Sequence, residues 1–295
     1  RSMIELDGLT KYYGDTRGIE DVDLKVDKGE IFGFLGPNGA GKTTTIRLLL
    51  DLLRPTEGKA FINGYDCNRE SGKVKEEVEY LPGNFTPYNF LTGREYIEFM
   101  GEFYDEDKVN KGLEMAELLE LDISRKTSEY STGMKQKLGI IQSLMANTPL
   151  NIMDEPTSGL DPMIQQKFYS LLEGEKQAGD TVFLSSHILP VVERVCDRVG
   201  IIRDGRLVEV NSVENLKTKR FKIVEVAYET IPEDEFFDRE GLNVVDYSEK
   251  AIKLRISSNL EENLHHLTSH PLVDFVAYDP PLEEVFLSYY GNDNQ

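Results

Sequence analysis

A glycine-rich run constrains this chain more than any other feature. Residues 36–43, GPNGAGKT, match the pattern G-x-x-x-x-G-K-[ST] and lie between a predicted strand (30–35) and a predicted helix (43–53). Glycines permit positive φ angles and close backbone approach, so successive N–H groups can point at a polyphosphate while the helix presents its positive dipole end. A glycine-rich turn is the plain alternative, but the flanking strand and helix favour a nucleotide site.

The same motif assigns the first binding residues. Lys42 is expected to reach the β and γ phosphates of the nucleotide, and the Thr43 hydroxyl is placed to coordinate Mg²⁺. The residues of this loop expected to contact the nucleotide are Gly36, Asn38, Gly39, Ala40, Gly41, Lys42, Thr43 and Thr44.

Two adjacent carboxylates, Asp154 and Glu155, end a predicted buried strand at 149–154. At the carboxyl end of a strand, both side chains can face one crevice. Asp154 suits a Mg²⁺ ligand acting through water, and Glu155 suits a general base that orients the water attacking the γ-phosphate. An acidic pair after an apolar run is by itself more often the solvated start of a loop, so this assignment depends on the phosphate-binding loop.

From residue 3 to about 210, short apolar runs alternate with segments of helical period. This pattern predicts strands joined by helical crossovers, and hence an α/β fold with a largely parallel sheet. A further strand is predicted at 181–186 and a further helix at 163–177. Asp204-Gly205 is predicted to turn a hairpin that closes the unit.

A helical subdomain is expected at about 84–147. Thr92 is a candidate cap for its first helix, and a second helix is predicted over 106–121. The residues of the first helix that keep helical spacing are Tyr96, Phe99, Met100 and Phe103.

The residue pattern changes after about residue 216. We therefore expect two domains, residues 3–215 and 216–295. Ile252, Leu254 and Ile256 alternate as in a strand, and a terminal helix is predicted at 282–290, so the second domain is a small α+β unit.

The charge of the chain limits its partners. Lys and Arg number 33 against 53 Asp and Glu, a net charge of −20. Such a surface repels nucleic acid and anionic lipid headgroups, so neither is an expected partner. The two cysteines, Cys67 and Cys196, indicate a reducing compartment and no disulfide. The longest apolar stretches, such as 46–53, are too short to span a membrane.

Residues 130–136, YSTGMKQ, stand some twenty residues before Asp154 and resemble the signature sequence of the nucleotide-binding subunits of ATP-binding cassette (ABC) transporters. Ser131 offers a hydroxyl and Gly133 an open backbone N–H at the start of a predicted helix, which is a second anion-binding arrangement. The resemblance implies that this segment grips the γ-phosphate held by a partner subunit. Taken alone, the stretch would be an ordinary helix cap.

Three further positions resemble the same family. Asp161, in the segment 156–161, corresponds to the D-loop aspartate at the subunit interface, and His187 to the histidine that senses the γ-phosphate and helps to hold the attacking water. Tyr13 resembles the aromatic residue on which adenine stacks, with Tyr12 as the less favoured neighbour. In isolation, each of these residues would be structural more often than functional.

One position departs from the family pattern. Gly83 stands where the family usually places a glutamine that supplies an oxygen near Mg²⁺, although some export-type members resemble this chain in having glycine there. Asn84 or water would have to fill that place. We hypothesise that no side chain at position 83 relays hydrolysis to transport.

An aromatic segment follows Gly83. Phe85, Tyr88 and Phe90 are either core residues or an exposed patch, and in the family this region receives a helix of the membrane subunit. The tail at 280–287, PPLEEVFL, is similar to tails of exporter-type members.

Together these resemblances imply a P-loop NTPase core of the ABC type that binds ATP and Mg²⁺, with Glu155, His187 and Lys42 as catalytic residues and Thr43 and Asp154 as metal ligands. Two subunits, in a homodimer or a heterodimer, would close head to tail over two ATP molecules. They would drive a membrane permease subunit of an exporter, from the cytoplasmic face of the membrane as peripheral proteins. The alternatives are a soluble ABC-type ATPase acting on ribosomes or DNA, and a P-loop kinase, which would need a phosphoryl acceptor site.

Overall fold

The computed structural model describes residues 2–104, 106–218, 221–248 and 251–278. It divides the chain into two compact units, residues 1–211 and residues 212–295. The strands of the first unit are β1 (Ser2–Tyr13), β2 (Thr16–Asp27), β3 (Ile31–Leu35), β4 (Glu57–Ile62), β5 (Tyr65–Asp66), β6 (Val78–Leu81), β7 (Leu150–Asp154), β8 (Thr181–Ser186), β9 (Arg198–Arg203) and β10 (Arg206–Ser212). Its helices are α1 (Lys42–Leu49), α2 (Ser71–Glu77), α3 (Gly93–Gly101), α4 (Glu106–Leu118), α5 (Thr132–Met145), α6 (Pro162–Ala178) and α7 (Leu189–Val195).

A six-stranded sheet forms the centre of the first unit, in the order β10-β9-β3-β8-β7-β6. The pairs β9–β3, β3–β8, β8–β7 and β7–β6 are parallel, and every residue of β3, β7 and β8 is buried. The predicted strands at 30–35, 149–154 and 181–186 are therefore confirmed, as is the α/β fold. Because parallel strands end at the same edge, β3, β6, β7 and β8 deliver the loops that follow them to one crevice.

A second sheet, β2-β1-β4-β5, is antiparallel and packs against the first through a shared apolar core. That core includes Ile4, Leu9 and Val22 from this sheet and Phe32, Phe34 and Phe183 from the central one. The hairpin predicted at Asp204-Gly205 joins β9 to β10, and both residues have positive φ, +48° and +78°, as a two-residue turn of type I′ requires.

Two predicted helices were too long at their C-terminal ends. The prediction of 43–53 becomes α1, which stops at Leu49, and that of 106–121 becomes α4, which stops at Leu118. Asp51 and Glu120 take the left-handed conformation, with φ of +55° and +54°. In each case the next residue donates its N–H to the carbonyl five positions earlier, at 2.8 and 2.9 Å, which is the bond that closes a helix end.

The predicted cap of the helical subdomain is confirmed. The Thr92 hydroxyl accepts the N–H of Glu95 at 3.2 Å, and the Glu95 carboxylate accepts the N–H of Thr92 at 2.7 Å, forming a capping box at the start of α3. The helical spacing predicted for Phe103 is wrong, because α3 ends at Gly101 and the Phe103 N–H turns back to the carbonyl of Met100. The helix predicted at 163–177 is confirmed as α6.

The second unit contains α8 (Val213–Thr218), β11 (Lys222–Tyr228), β12 (Leu242–Tyr247), β13 (Ile252–Ile256), α9 (Leu260–Leu267) and β14 (Leu272–Tyr278). Its strands form an antiparallel sheet in the order β12-β13-β11-β14. The predicted alternation at Ile252, Leu254 and Ile256 is confirmed, since all three side chains enter the core of this unit. The helix predicted at 282–290 and the tail at 280–287 lie outside the described residues.

Cys67 and Cys196 are free and buried. Within the described ranges, none of the helices combines the length and the apolar character that crossing a bilayer demands.

Candidate functional site

An open cavity of about 730 Å³ lies at the carboxyl edge of the central sheet. The loops after β3, β6 and β7 reach it, together with the turn between β1 and β2. Its lining residues are Tyr13, Thr16, Arg17, Gly18, Asn38, Gly39, Gly41, Lys42, Thr43, Thr44, Gly83, Asn84, Asp154, Glu155 and Ser158.

The loop at 36–43 wraps the start of α1, as its sequence predicts. Gly41 immediately precedes the helix at a φ of +111°, and a Cβ there would stand 2.5 Å from the side chain of Ile19, so only glycine fits. Lys42 is 6% exposed, and its Nζ donates to the carbonyls of Gly36 at 2.7 Å and Pro37 at 3.2 Å. The ammonium group is thus held inside the loop that the motif assigns to phosphate.

Two loop residues that were predicted to contact the nucleotide instead make hydrogen bonds within the protein. Gly36 and Ala40 are buried and are absent from the lining of the cavity. The Gly36 carbonyl receives Lys42, and the Ala40 carbonyl accepts the N–H of Gly205 at 3.0 Å.

Asp154 is 5% exposed and is held through both oxygens. The Thr43 hydroxyl donates to its Oδ2 at 2.8 Å, and the Ser185 hydroxyl donates to its Oδ1. Carboxylate and hydroxyl oxygens are the hard ligands that Mg²⁺ accepts, so the residues present fit that ion.

Glu155 stands between two cationic or protonatable groups. Its Oε1 lies 3.3 Å from Lys42 Nζ, and its Oε2 lies 2.9 Å from His187 Nδ1. A carboxylate oxygen accepts hydrogen bonds, so in this contact the donor is the N–H at Nδ1 of His187. Glu155 itself has a φ of +51°, an uncommon conformation for a residue with a side chain, which turns it out of the strand direction.

Tyr13, and not Tyr12, faces the cavity. The Tyr13 side chain is 45% exposed, and its hydroxyl lies 3.4 Å from Thr44 Oγ1. The Tyr12 hydroxyl is engaged elsewhere, donating to Glu20 Oε1 at 2.9 Å. The Tyr13 ring thus lines the cavity, with Lys11 Nζ 5.6 Å from the ring centroid.

Arg17 is a lining residue that sequence reasoning missed, because no motif marks it. Its guanidinium contacts Glu20 at 3.2 Å. Hydrogen bonds from Arg206, Tyr12 and Arg17 lower the pKa of Glu20 to about 2, so this carboxylate stays ionised beside the cavity.

Ser131, Gly133 and Asp161 do not line the cavity. The Ser131 hydroxyl caps α5 by accepting the Met134 N–H at 3.3 Å, and Asp161 caps α6. A Cβ at Gly133 would stand 2.6 Å from the carbonyl oxygen of Gly159, so the two segments pack backbone to backbone. The structure thus brings the segment around Gly133 against the segment around Gly159, with these three residues outside the lining of the cavity.

Gly83 and Asn84 do line the cavity. A Cβ at Gly83 would stand 3.3 Å from the Asp154 carbonyl oxygen. The position that departs from the family pattern is therefore adjacent to the candidate metal ligand.

The aromatic segment after Gly83 divides into two. Phe85 is partly buried and meets Tyr96 edge to face, whereas Tyr88 and Phe90 are 52% and 69% exposed. Phe99 and Phe103 extend the exposed part. The ring centroids of Tyr88 and Phe99 are 5.7 Å apart, and those of Phe99 and Phe103 are 5.4 Å apart. We name Tyr88, Phe90, Phe99 and Phe103 the aromatic patch.

Comparisons with known proteins identify the family of this chain. A family model described as ABC transporter matches residues 19–158. The bacitracin transport ATP-binding protein BcrA of Bacillus licheniformis is 37% identical, over 76% of this chain and 74% of the relative. The linearmycin resistance ATP-binding protein LnrL of Bacillus subtilis is 30% identical over 98% of both chains. A solved structure of the ATP-binding subunit of an ABC transporter, 29% identical, superposes with a TM-score of 0.68 over 73% of this chain and 92% of that one.

Proposed function

This chain belongs to the ATP-binding proteins of ABC transporters and is an ATPase subunit, and we propose that it drives export through a separate membrane subunit. The single observation that carries the chemistry is the position of Glu155 between Lys42 and His187 at the edge of the cavity. A base, a phosphate-binding cation and an orienting imidazole meet there.

We propose that Lys42 exchanges the carbonyls of Gly36 and Pro37 for phosphate oxygens when ATP binds. The N–H groups at the start of α1 bind the same phosphates, since a helix N-terminus favours an anion. Tyr13 stacks against the adenine. Glu155 orients the attacking water, and His187 holds that carboxylate through Nδ1.

Mg²⁺ would be held by Thr43 and Asp154, and when bound it neutralises charge that develops on the phosphate oxygens. The oxygen-only donor set of these two residues supports the assignment. Release of phosphate without an acceptor molecule would separate this ATPase from a kinase.

Ser131, Gly133 and Asp161 are proposed to complete the nucleotide site of a second subunit, which is another copy of this chain or a similar one. Their position away from the cavity of their own chain supports this role. ATP would then bias the pair toward closure by binding the closed arrangement more tightly than the open one.

The aromatic patch is proposed to dock the membrane subunit, which places this chain as a peripheral protein at the cytoplasmic face. Exposed Tyr and Phe side chains are the residues that interfaces favour as anchors. The names of the relatives BcrA and LnrL, which concern bacitracin transport and linearmycin resistance, support export as the direction. The comparisons do not favour the alternative of a soluble ATPase on ribosomes or DNA.

A pull-down from detergent-solubilised membranes tests this proposal. The tagged chain is expected to recover an integral membrane subunit in fixed stoichiometry, together with ATP hydrolysis that releases free phosphate. The double variant Phe90→Ala/Phe103→Ala should lose the membrane subunit and keep basal hydrolysis. Co-sedimentation of the chain with ribosomes, and no membrane subunit, would refute it.

A further inference from the structure

A serine on β8 that no motif marks lies at the centre of the site. Ser185 is fully buried, and it is the direct register partner of Asp154 across the parallel pair β7–β8. Paired residues of neighbouring strands point to the same face of a sheet, so the serine hydroxyl and the aspartate carboxylate are brought together by the strand register itself.

The hydroxyl of Ser185 has two partners. It donates its single proton to Asp154 Oδ1, and its oxygen accepts the N–H of Glu155 at 3.2 Å. The Glu155 N–H also reaches the backbone carbonyl of Ser185 at 3.2 Å, so that donor keeps a partner without the hydroxyl. Among the described residues, Ser185 is the hydrogen-bond donor to Asp154 Oδ1, and a buried acceptor left without a donor is costly.

The two oxygens of Asp154 are therefore held from two sides. Ser185 fixes Oδ1, and Thr43 donates to Oδ2 at 2.8 Å. We propose that Ser185 is a positioning residue that sets the orientation of the Asp154 carboxylate and so directs Oδ2 toward Mg²⁺. The proposal rests on the proposed function, because it presumes that Thr43 and Asp154 face a nucleotide-bound ion.

The glycine at position 83 makes the hydrogen bond from Ser185 to Asp154 more important in this chain. The residue adjacent to Asp154 on the β6 side has no side chain that could hold the carboxylate, and a Cβ there would lie 3.8 Å from Oδ2. The side-chain hydrogen bonds that the structure describes for Asp154 come from Thr43 and Ser185. Partners that orient a metal ligand typically change metal affinity by about 10- to 100-fold when removed.

The test measures metal affinity and does not depend on turnover. Mn²⁺ replaces Mg²⁺, and electron paramagnetic resonance follows the free ion in the presence of saturating ADP. Ser185→Ala is expected to weaken Mn²⁺ binding by about tenfold. ADP binding without metal, measured by calorimetry, should stay at the wild-type level, because Lys42 and the loop are untouched.

Ser186→Ala is the matched control. Ser186 is equally buried on the same strand but points to the other face, where its hydroxyl accepts the N–H of Ile188 at 2.9 Å. Its Mn²⁺ affinity should equal that of wild type. Ser185→Cys, similar in size with a weaker donor, should give an intermediate Mn²⁺ affinity and remains informative if the alanine variant does not fold.

Three outcomes are distinguishable. Unchanged Mn²⁺ affinity in Ser185→Ala would overturn the positioning role. If Ser185→Ala does not fold, unchanged Mn²⁺ affinity in Ser185→Cys would overturn it. Loss of metal-free ADP binding with a lowered melting temperature would also overturn it, in favour of a purely structural serine. A wild-type chain that binds no ADP at all would instead refute the proposed function.

Discussion

The phosphate-binding loop and the signature segment both present the N-terminus of a helix, but their surroundings differ. At the start of α1, Lys42, Asp154 and Glu155 converge within one chain. At the start of α5, Ser131 and Gly133 offer a hydroxyl and an N–H beside Gly159, and neither they nor Asp161 line the cavity. We propose that the first region binds nucleotide within one chain, whereas the second completes a site that another chain begins.

The base offers the strongest way to test the first region. Glu155→Gln keeps the size of the side chain and its contact distance to Lys42 but removes the charge that orients water. We expect hydrolysis to fall by about 10²- to 10⁴-fold while ATP binding persists, and a dimer to accumulate in ATP. Phosphate release and analytical ultracentrifugation check both expectations, and full turnover in this variant would remove Glu155 from its role.

The signature serine tests the second region. Ser131→Ala should lower hydrolysis by about 10- to 100-fold, since it removes the hydrogen bond that we propose to a charged phosphate across the subunit boundary. The variant also loses the cap of α5. Thr92→Ala, which loses the cap of α3 in the same helical subdomain, is the control and should retain wild-type hydrolysis; equal losses in both variants would reduce Ser131 to a cap.

Stacking on Tyr13 should contribute less than either catalytic feature. Tyr13→Ala is expected to weaken ATP binding by about tenfold, and Tyr13→Phe to preserve it. Tyr12→Ala removes the neighbouring ring together with its hydrogen bond to Glu20 and should leave ATP affinity unchanged. Calorimetry with ATP decides between the two tyrosines, and a larger loss in the Tyr12 variant would reverse the assignment.

Two substitutions at Asp161 distinguish its role as a helix cap from a role at the subunit interface. Asp161→Ala should cost about 1 kcal/mol in the free energy of unfolding because the N–H groups of Met163 and Ile164 lose their acceptor, whereas Asp161→Asn keeps a capping oxygen. Denaturant titration measures that difference. If the asparagine variant is as stable as wild type yet hydrolyses ATP more slowly, Asp161 acts at the subunit interface; equal hydrolysis would confine it to the cap.

The smallest effect is expected at Gly83. Its φ is compatible with alanine and the nearest atom to a new Cβ is 3.3 Å away, so Gly83→Ala should leave basal hydrolysis within about twofold of wild type. Transport in a reconstituted complex should also continue. Normal hydrolysis with abolished transport would show that the backbone at this position matters for coupling.

Much of the first region was predictable from sequence because its parts are local. The loop at 36–43 and the pair Asp154-Glu155 are contiguous motifs at strand ends. Ser185 was not predictable, since its importance depends on the register between β7 and β8, which two separate apolar runs do not encode. The ends of α1 and α4 were missed for another reason: Asp51 and Glu120 take a conformation that glycine usually marks.

The aromatic segment shows the same limit. Spacing could not say that Phe85 turns inward while Phe90 stays exposed, because a loop has no period to sort its side chains. Arg17 was missed since its place at the cavity follows from the turn between β1 and β2.

Titration calorimetry of ADP and Mg²⁺ into Ser131→Ala tests the central difference between the two regions most directly. If the phosphate-binding loop forms a complete site within one chain, the variant should bind one ADP per chain with wild-type affinity, although its signature segment is impaired. Absence of binding heat from a folded Ser131→Ala chain would contradict the account, because the loop around Lys42 would then depend on the signature segment of its own chain.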